Sequence, residues 1–322
     1  MHTPSNLLFW ILFLAFVVLM LVLDLGVFNR KAHTVGLREA LGWSALWVAL
    51  AAAFAVMLYF HGHRMTGDSA HGNSQLSLEF VTGYLVEEAL SVDNLFVFLL
   101  IFRYFKVPSE FQHKVLFWGI LGAIVMRAIF IGAGVTLLNR FHWVMYVFGA
   151  FLVYAGFKLL FQGEEQENPA DSFITRFAQR HLRLTDGYAA GTFTVMRSGV
   201  RYCTKLALVL IVIETTDVLF AVDSIPAVLA VTRQPYVVFT SNIFAVLGLR
   251  AMYFVLAGLM DLFHLLHYGL AVILMFIGIK MLVANYVEIP TVYALTAIVA
   301  VLAGSIALSM MLPPRKSPDT AE

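Results

Sequence analysis

Two short acidic motifs in the sequence share one internal spacing. Glu87-Glu88-Ala89-Leu90-Ser91-Val92-Asp93-Asn94 and Asp217-Val218-Leu219-Phe220-Ala221-Val222-Asp223-Ser224 each place a second acid six positions after the first, followed by a small polar residue. Glu214 stands just before the second motif, and Asp24 falls near the end of the first apolar stretch. With Thr215, Thr216 and Ser224 these residues offer hard oxygen donors and no cysteine or histidine, a set suited to Mn²⁺, Mg²⁺ or Ca²⁺ over Cu⁺ or Zn²⁺. The candidate metal ligands are therefore Asp24, Glu87, Asp93, Asn94, Glu214, Asp217 and Asp223. Their composition leaves the choice among the three ions open, and no catalytic residue or resident cofactor is expected.

The surroundings of these acids are apolar. The chain is 61% hydrophobic and only 13% charged, against about 45–50% and about 25% in soluble domains. A mean hydropathy of +0.84 points to an all-α, polytopic membrane helix bundle and away from most enzyme classes. Lys+Arg 21 against Asp+Glu 20 gives a net charge of +1, which provides no basic surface for nucleic acid. The single cysteine, Cys203, excludes an internal disulfide framework and reads as inert. The apolar run after MHTPSNLLFW reaches Phe28, too long for a signal-peptide core. It is expected to be the first retained span.

About nine spans are expected, near 7–28, 40–60, 78–102, 115–138, 142–161, 204–232, 237–259, 267–286 and 291–312. Residues 162–203 form the only sizeable polar segment, expected to be a cytoplasmic loop with some helix. Lys and Arg accumulate on the cytoplasmic side of membranes. With the N-terminus outside and the C-terminus inside, only Arg64, Arg140 and Arg233 of the basic residues fall on the outer side, while Arg127, Arg250 and Lys280 sit within spans.

The chain also repeats itself. Besides the acidic motifs, Met126-Arg127-Ala128 recurs as Leu249-Arg250-Ala251, Phe141-His142 as Phe263-His264, and Gly156-Phe157-Lys158 as Gly278-Ile279-Lys280. The expected organisation is spans 1–2 with an outer loop (1–77), a first repeat (78–161), the loop (162–203), a second repeat (204–286), and a last span with its tail (287–322). Three spans per repeat is an odd number, so the second copy enters the membrane from the opposite side. Inverted repeats of this kind build secondary transporters, with substrate held near the midplane at the repeat interface.

Seven acids fall inside the spans beyond their first residues, namely the six candidate acids and Glu88, each costing at least ~2.5–3.5 kcal/mol at mid-span. Arg127 and Arg250 can neutralise two of them as supporting residues, which leaves a cation as the missing partner of the rest. On a straight helix a spacing of six residues turns Asp93 about 120° away from Glu87, and Asp223 as far from Asp217. A helix break would let them converge, and Pro226 supplies a reason by releasing the carbonyl of Val222. His142 and His264 read as interfacial or capping residues, while His61, Gly62, His63 and His71 read as a solvated outer loop.

At these residues the chain resembles the TerC/Alx family of bacterial integral membrane proteins. The likeness is carried by Asp24-Leu25-Gly26-Val27-Phe28, Phe80-Val81-Thr82-Gly83-Tyr84-Leu85 with Glu87, and Leu90-Ser91-Val92-Asp93-Asn94. It continues through Phe117-Trp118-Gly119-Ile120-Leu121-Gly122-Ala123, Glu214 with Asp217, Phe220-Ala221-Val222-Asp223-Ser224-Ile225-Pro226-Ala227 and Phe239-Thr240-Ser241-Asn242-Ile243-Phe244-Ala245. The resemblance implies a LysE-like transporter in the bacterial inner membrane, with Mn²⁺ export among its members' activities. It carries the family's acidic positions onto Asp24, Glu87, Asp93, Glu214, Asp217 and Asp223. Glu88 departs from the family pattern and is left outside the site.

The expected function is export of a divalent cation, Mn²⁺ first, by alternating access with protons as a coupling partner. The oligomeric state stays open. A tellurite-type resistance would be indirect, because an acid-lined path repels an oxyanion. An intramembrane aspartyl protease is disfavoured, since Asp93 and Asp223 both follow valine and no Gly-x-Gly-Asp is present. The alternative reading is a scaffold or assembly protein that acts through partners at loop 162–203.

Overall fold

The protein is described by a computed structural model covering residues 4–23, 36–68, 71–141, 143–161, 184–185, 187–188, 191–197, 200–259, 265–287 and 289–311. Among these residues the elements in chain order are α1 (Pro4–Leu23), α2 (Leu37–Thr66), α3 (Asn73–Tyr104), α4 (Ser109–Arg140), α5 (Val144–Phe161), β1 (Thr194–Arg197), β2 (Val200–Cys203), α6 (Lys205–Leu229), α7 (Pro235–Leu259), α8 (Leu266–Val283) and α9 (Thr291–Met311). The helices coincide with the nine expected stretches. Six of them, α2, α4, α5, α7, α8 and α9, are long and apolar enough to cross a bilayer by length and composition. Helices α3 and α6 fall outside this set through their charged residues, and in α1 the apolar part Leu7–Leu23 is shorter. The chain is thus an all-α polytopic bundle.

Local chemistry sets the helix ends. Gly67 closes α2 in the left-handed region at φ 69°, its N–H reaching the carbonyl of His63. Thr204 caps α6 by accepting from the N–H of Ala207. Pro235 opens α7, where its fixed φ suits the first helical position.

Three expectations are corrected. Helix α2 continues to Thr66, so His61 and His63 lie on its last turns and not in a loop. Thr194–Arg197 and Val200–Cys203 pair as antiparallel strands, Thr194 with Cys203 and Arg197 with Val200, within the segment expected to be a loop with some helix. Helices α3 and α6 run unbroken through both acidic motifs. Pro226 lies inside α6, four residues from its end inclusive, and its missing donor frees the carbonyl of Val222 without interrupting the helix.

Helix α7 is central, with most of its apolar length buried, whereas α2, α5 and α9 present mostly apolar side chains outward. Helices α3 and α4 pack on α7 and α6 respectively, and α5 packs on α8. Asp68, His71, Met145, Leu229, Pro235 and Lys280 surround one cavity. The start of α3 and the end of α6 therefore share one end of the bundle, and these two equivalent helices run in opposite senses.

The core has two apolar halves. One joins α1, α2, α3 and α7 through the rings of Phe13, Phe54, Phe80, Tyr236 and Phe244, with Phe54 and Phe80 centroids 5.0 Å apart. The other begins at Leu95 on α3, Ile120 and Ala123 on α4, Ile213 on α6 and Val246 on α7. Between the halves lies a band of polar residues at mid-length of these four helices.

Candidate functional site

The band is organised around Arg127, which is fully buried on α4. Its Nη1 donates to Glu87 Oε1 of α3, and also to Asn242 Oδ1 of α7 at 2.9 Å. Its Nη2 faces Asp217 Oδ1 of α6 at 3.6 Å as an ion pair. Asn242 closes the ring by donating from Nδ2 to Glu87 Oε2 at 2.8 Å. Four helices are thus joined by one guanidinium, one carboxamide and two carboxylates. Such a cluster is tolerated at this depth because its charges are of opposite sign and close together, although Arg127 Nε and Nη2 and Asp217 Oδ2 make no hydrogen bond among the described residues.

Glu214, one turn before Asp217, lies against the backbone of α4 at Gly122, where any Cβ would collide with its carboxylate. The glycine makes room for the acid. Asp217 and Arg250 line a cavity of about 10 Å³ between α3, α4, α6 and α7, room for about one water-sized occupant. Several buried polar atoms in the band carry no hydrogen bond among the described residues: Ser91 Oγ, Asn94 Nδ2, Asp217 Oδ2, Ser224 Oγ and Glu88 Oε2.

The structure brings Glu87 and Asp217, the first acids of the two motifs, to a shared partner. The second acids do not join them. Asp223 is half-buried on another face of α6 with Lys158 of α5 as its charged neighbour, as an unbroken helix requires. Glu88 turns toward α7, with Oε1 about 3.8 Å from where a Cβ on Gly248 would stand. Asp24 and the side chain of Asp93 lie outside the described residues, as do His142, His264 and residues 162–183. Among the described residues no group of three or more His, Cys, Asp or Glu side chains is close enough to hold one metal ion.

Two participants were not legible as such. Asn242 lies among Thr240, Ser241 and Ile243, a stretch without a charge to single it out. The register that carries Arg127 onto Arg250 places Gly119 opposite Asn242, so the carboxamide exists in one half only. Glu79 is a further buried acid of α3, accepting from Gln75 Nε2 at 3.0 Å and Thr232 Oγ1 at 2.6 Å. Its place at the edge of the third apolar stretch hid it, although its charge was the available signal.

A multi-helix membrane bundle with a charged ring at mid-length defines an integral membrane protein whose centre is polar. Residues 72–317 match the integral membrane protein TerC family, and the chain belongs to that family. It is similar to an uncharacterised membrane protein of Myxococcus xanthus, with 47% identity covering 94% of this chain and 92% of the relative. It is also similar to the Alx proteins of Salmonella typhi, at 45% identity over 94% of both chains, and Escherichia coli K12, at 44% identity over 94% of both chains. Both carry the description of a proposed membrane-bound redox modulator. No solved structure matches the chain.

Proposed function

We propose that the protein is a secondary transporter that exports a divalent cation, Mn²⁺ first among the candidates, by alternating access across the band joining α3, α4, α6 and α7. The observation that carries this reading is Asp217 Oδ2, a buried carboxylate oxygen beside Arg127 with no hydrogen bond among the described residues, with Ser91 Oγ, Ser224 Oγ and Glu88 Oε2 also unpaired elsewhere on α3 and α6. Buried polar atoms are ordinarily satisfied, and hard oxygens of this kind are the ligands a hard cation takes.

In this reading Arg127 is the resident counter-ion. It holds Glu87 and Asp217 while no metal is bound, and the carboxylates exchange it for the cation during transport. Asp93, Asn94, Glu214 and Asp223 supply further ligands once the helices rearrange, with Asp24 at the edge of the path. Outward movement of two charges against an inside-negative potential costs about 4.6 kcal/mol per 100 mV. Uptake of protons by the same carboxylates offsets that cost. The N-terminus lies outside, the C-terminus inside, and the membrane is the bacterial inner membrane.

A second reading has one observation in its favour. The hairpin segment is docked on the bundle, with Lys114 Nζ donating to the carbonyl of Gly191 at 2.8 Å and Tyr188 Oη donating to that of Phe105. A scaffold acting through residues 162–203 would use such an anchored platform. The redox description of the Alx relatives has no dithiol to act through in this chain, whose one cysteine is Cys203.

Radioactive Mn²⁺ flux into proteoliposomes, with Mg²⁺ and Ca²⁺ as competitors, tests the transport reading. Flux that Asp223→Asn abolishes supports it. Absence of flux under every pH gradient and voltage, together with loss of cellular function on deleting 162–203, favours the scaffold.

A further inference from the structure

At the end of the bundle where α2 turns into α3 and α6 into α7, a cavity of about 390 Å³ opens between helices. This is the size of a small-ligand pocket. Its wall carries charges of both signs: Asp68, His71, Glu79, Arg233 and Lys280. The acids are already engaged. Glu79 accepts from Gln75 and Thr232, and Asp68 Oδ2 takes His71 Nδ1 at 2.6 Å.

The cations are not. Arg233 directs Nη2 at the thioether of Met145, 2.9 Å away, and a thioether is a weak acceptor with no charge. Lys280 is half-buried and makes no hydrogen bond or ion pair among the described residues. Arg233 and Lys280 therefore face one cavity with no hydrogen bond to a carboxylate, Glu79 acting on Lys280 only across space, and an anion with several acceptor oxygens can bridge the two. The rest of the wall combines the polar Thr232 and Gln234 with apolar side chains that include Met145, Leu229 and Met281.

The position narrows the ligand. Lys280 lies three residues before the end of α8, about 4.5 Å along the axis. Exposed aromatic side chains ring the same end, with Trp143 at 63%, Tyr286 at 85% and Tyr293 at 68% exposure. Aromatic girdles of this kind mark the head-group level of a bilayer, where a lipid phosphate comes within reach of basic side chains.

We propose that this cavity binds a phosphate group between Arg233 and Lys280. The guanidinium presents a planar pair of donors, the ammonium three rotatable ones, and together they can satisfy the oxygens of one phosphate. The phosphate comes either from a phospholipid of the surrounding bilayer or from free inorganic phosphate. The site is separate from the mid-length band and stands whether or not the protein transports a metal.

The test uses the purified full-length chain. Native mass spectrometry compares retention of phosphatidylglycerol with that of a glucosyl diacylglycerol, which has the same tails and no phosphate. Thermal unfolding is followed in parallel with inorganic phosphate. Preferential retention of phosphatidylglycerol, weakened about thirtyfold in Arg233→Gln/Lys280→Gln and kept in Arg233→Lys/Lys280→Arg, supports a lipid phosphate. Stabilisation by inorganic phosphate that the glutamine pair removes supports a free one. Equal retention of the two lipids by the native chain, with no shift in phosphate, overturns the proposal even if the glutamine pair does not fold.

Discussion

Gly149 and Gly278 meet backbone to backbone: a Cβ on Gly278 would stand 2.7 Å from the carbonyl oxygen of Gly149, and one on Gly149 would stand 3.0 Å from the carbonyl oxygen of Gly278. One step along the same seam, a Cβ on Gly156 would lie 2.7 Å from the carbonyl oxygen of Ala271. The register that carries Lys158 onto Lys280 carries Gly156 onto Gly278 and Gly149 onto Ala271, so the two contacts exchange with each other. Helices α5 and α8 therefore meet along the line about which the two halves of the sequence correspond.

Gly278→Val should destabilise the protein by about 1–3 kcal/mol, because the obstructing atoms are backbone and cannot rotate away. Gly132→Ala on α4 is the control, having nothing within 4 Å of the added carbon. Thermal unfolding in detergent should show a clear fall for the first variant and no fall for the second.

Removal of Arg127 leaves Glu87 and Asp217 buried without their cation. Arg127→Ala should cost about 3–5 kcal/mol, the cost of breaking a buried pair. Arg127→Lys keeps the charge but cannot reach Glu87, Asn242 and Asp217 together. It should yield folded protein with an intermediate unfolding temperature, and a temperature equal to the native one would show that the three-way contact does not matter.

The carboxylate of Glu214 occupies the space that Gly122 leaves open. Gly122→Ala forces that flexible side chain to turn, which the fold tolerates. Under the transport reading Mn²⁺ flux should drop at least tenfold, the sensitivity expected when a ligand is displaced by about an ångström, while the protein remains monodisperse. Unchanged flux would remove Glu214 from the path.

The turn between α2 and α3 holds a pH-dependent contact. The hydrogen bond that His71 Nδ1 donates to the Asp68 carboxylate raises the pKa of His71 above its ordinary 6.5. A raised folded-state pKa stabilises the fold fully below the unfolded value and loses that effect as pH rises through the folded one. The pair is solvent-accessible, so the effect is small. His71→Gln should lower the unfolding temperature at pH 5.5 and leave it unchanged at pH 9, whereas an equal loss at both values would assign His71 an uncharged role.

Much of this arrangement is written in one dimension. An apolar stretch long enough to span a bilayer forms a helix in lipid because its backbone has no other partner, and among the described residues each of the nine expected stretches contains a helix. Acids inside such stretches are conspicuous because they are costly there, and on that ground the seven span acids stand out together with Arg127 and Arg250, without Glu87, Asp217 and Arg127 being separable from the rest. Pro226 was misread, since its effect depends on its distance from the helix end and the sequence does not mark that end.

Which acid meets which partner was settled only in three dimensions. Glu87 and Arg127 are 40 residues apart, and Glu87 and Asn242 are 155 apart. No local pattern couples such positions. The rotation of α3 about its axis sends Glu87 toward Arg127 and Glu88 toward α7, and that rotation follows from how α3 packs against α7 and α2. The composition of the chain determined that charges would be buried together; the packing of the helices decided which charges those would be.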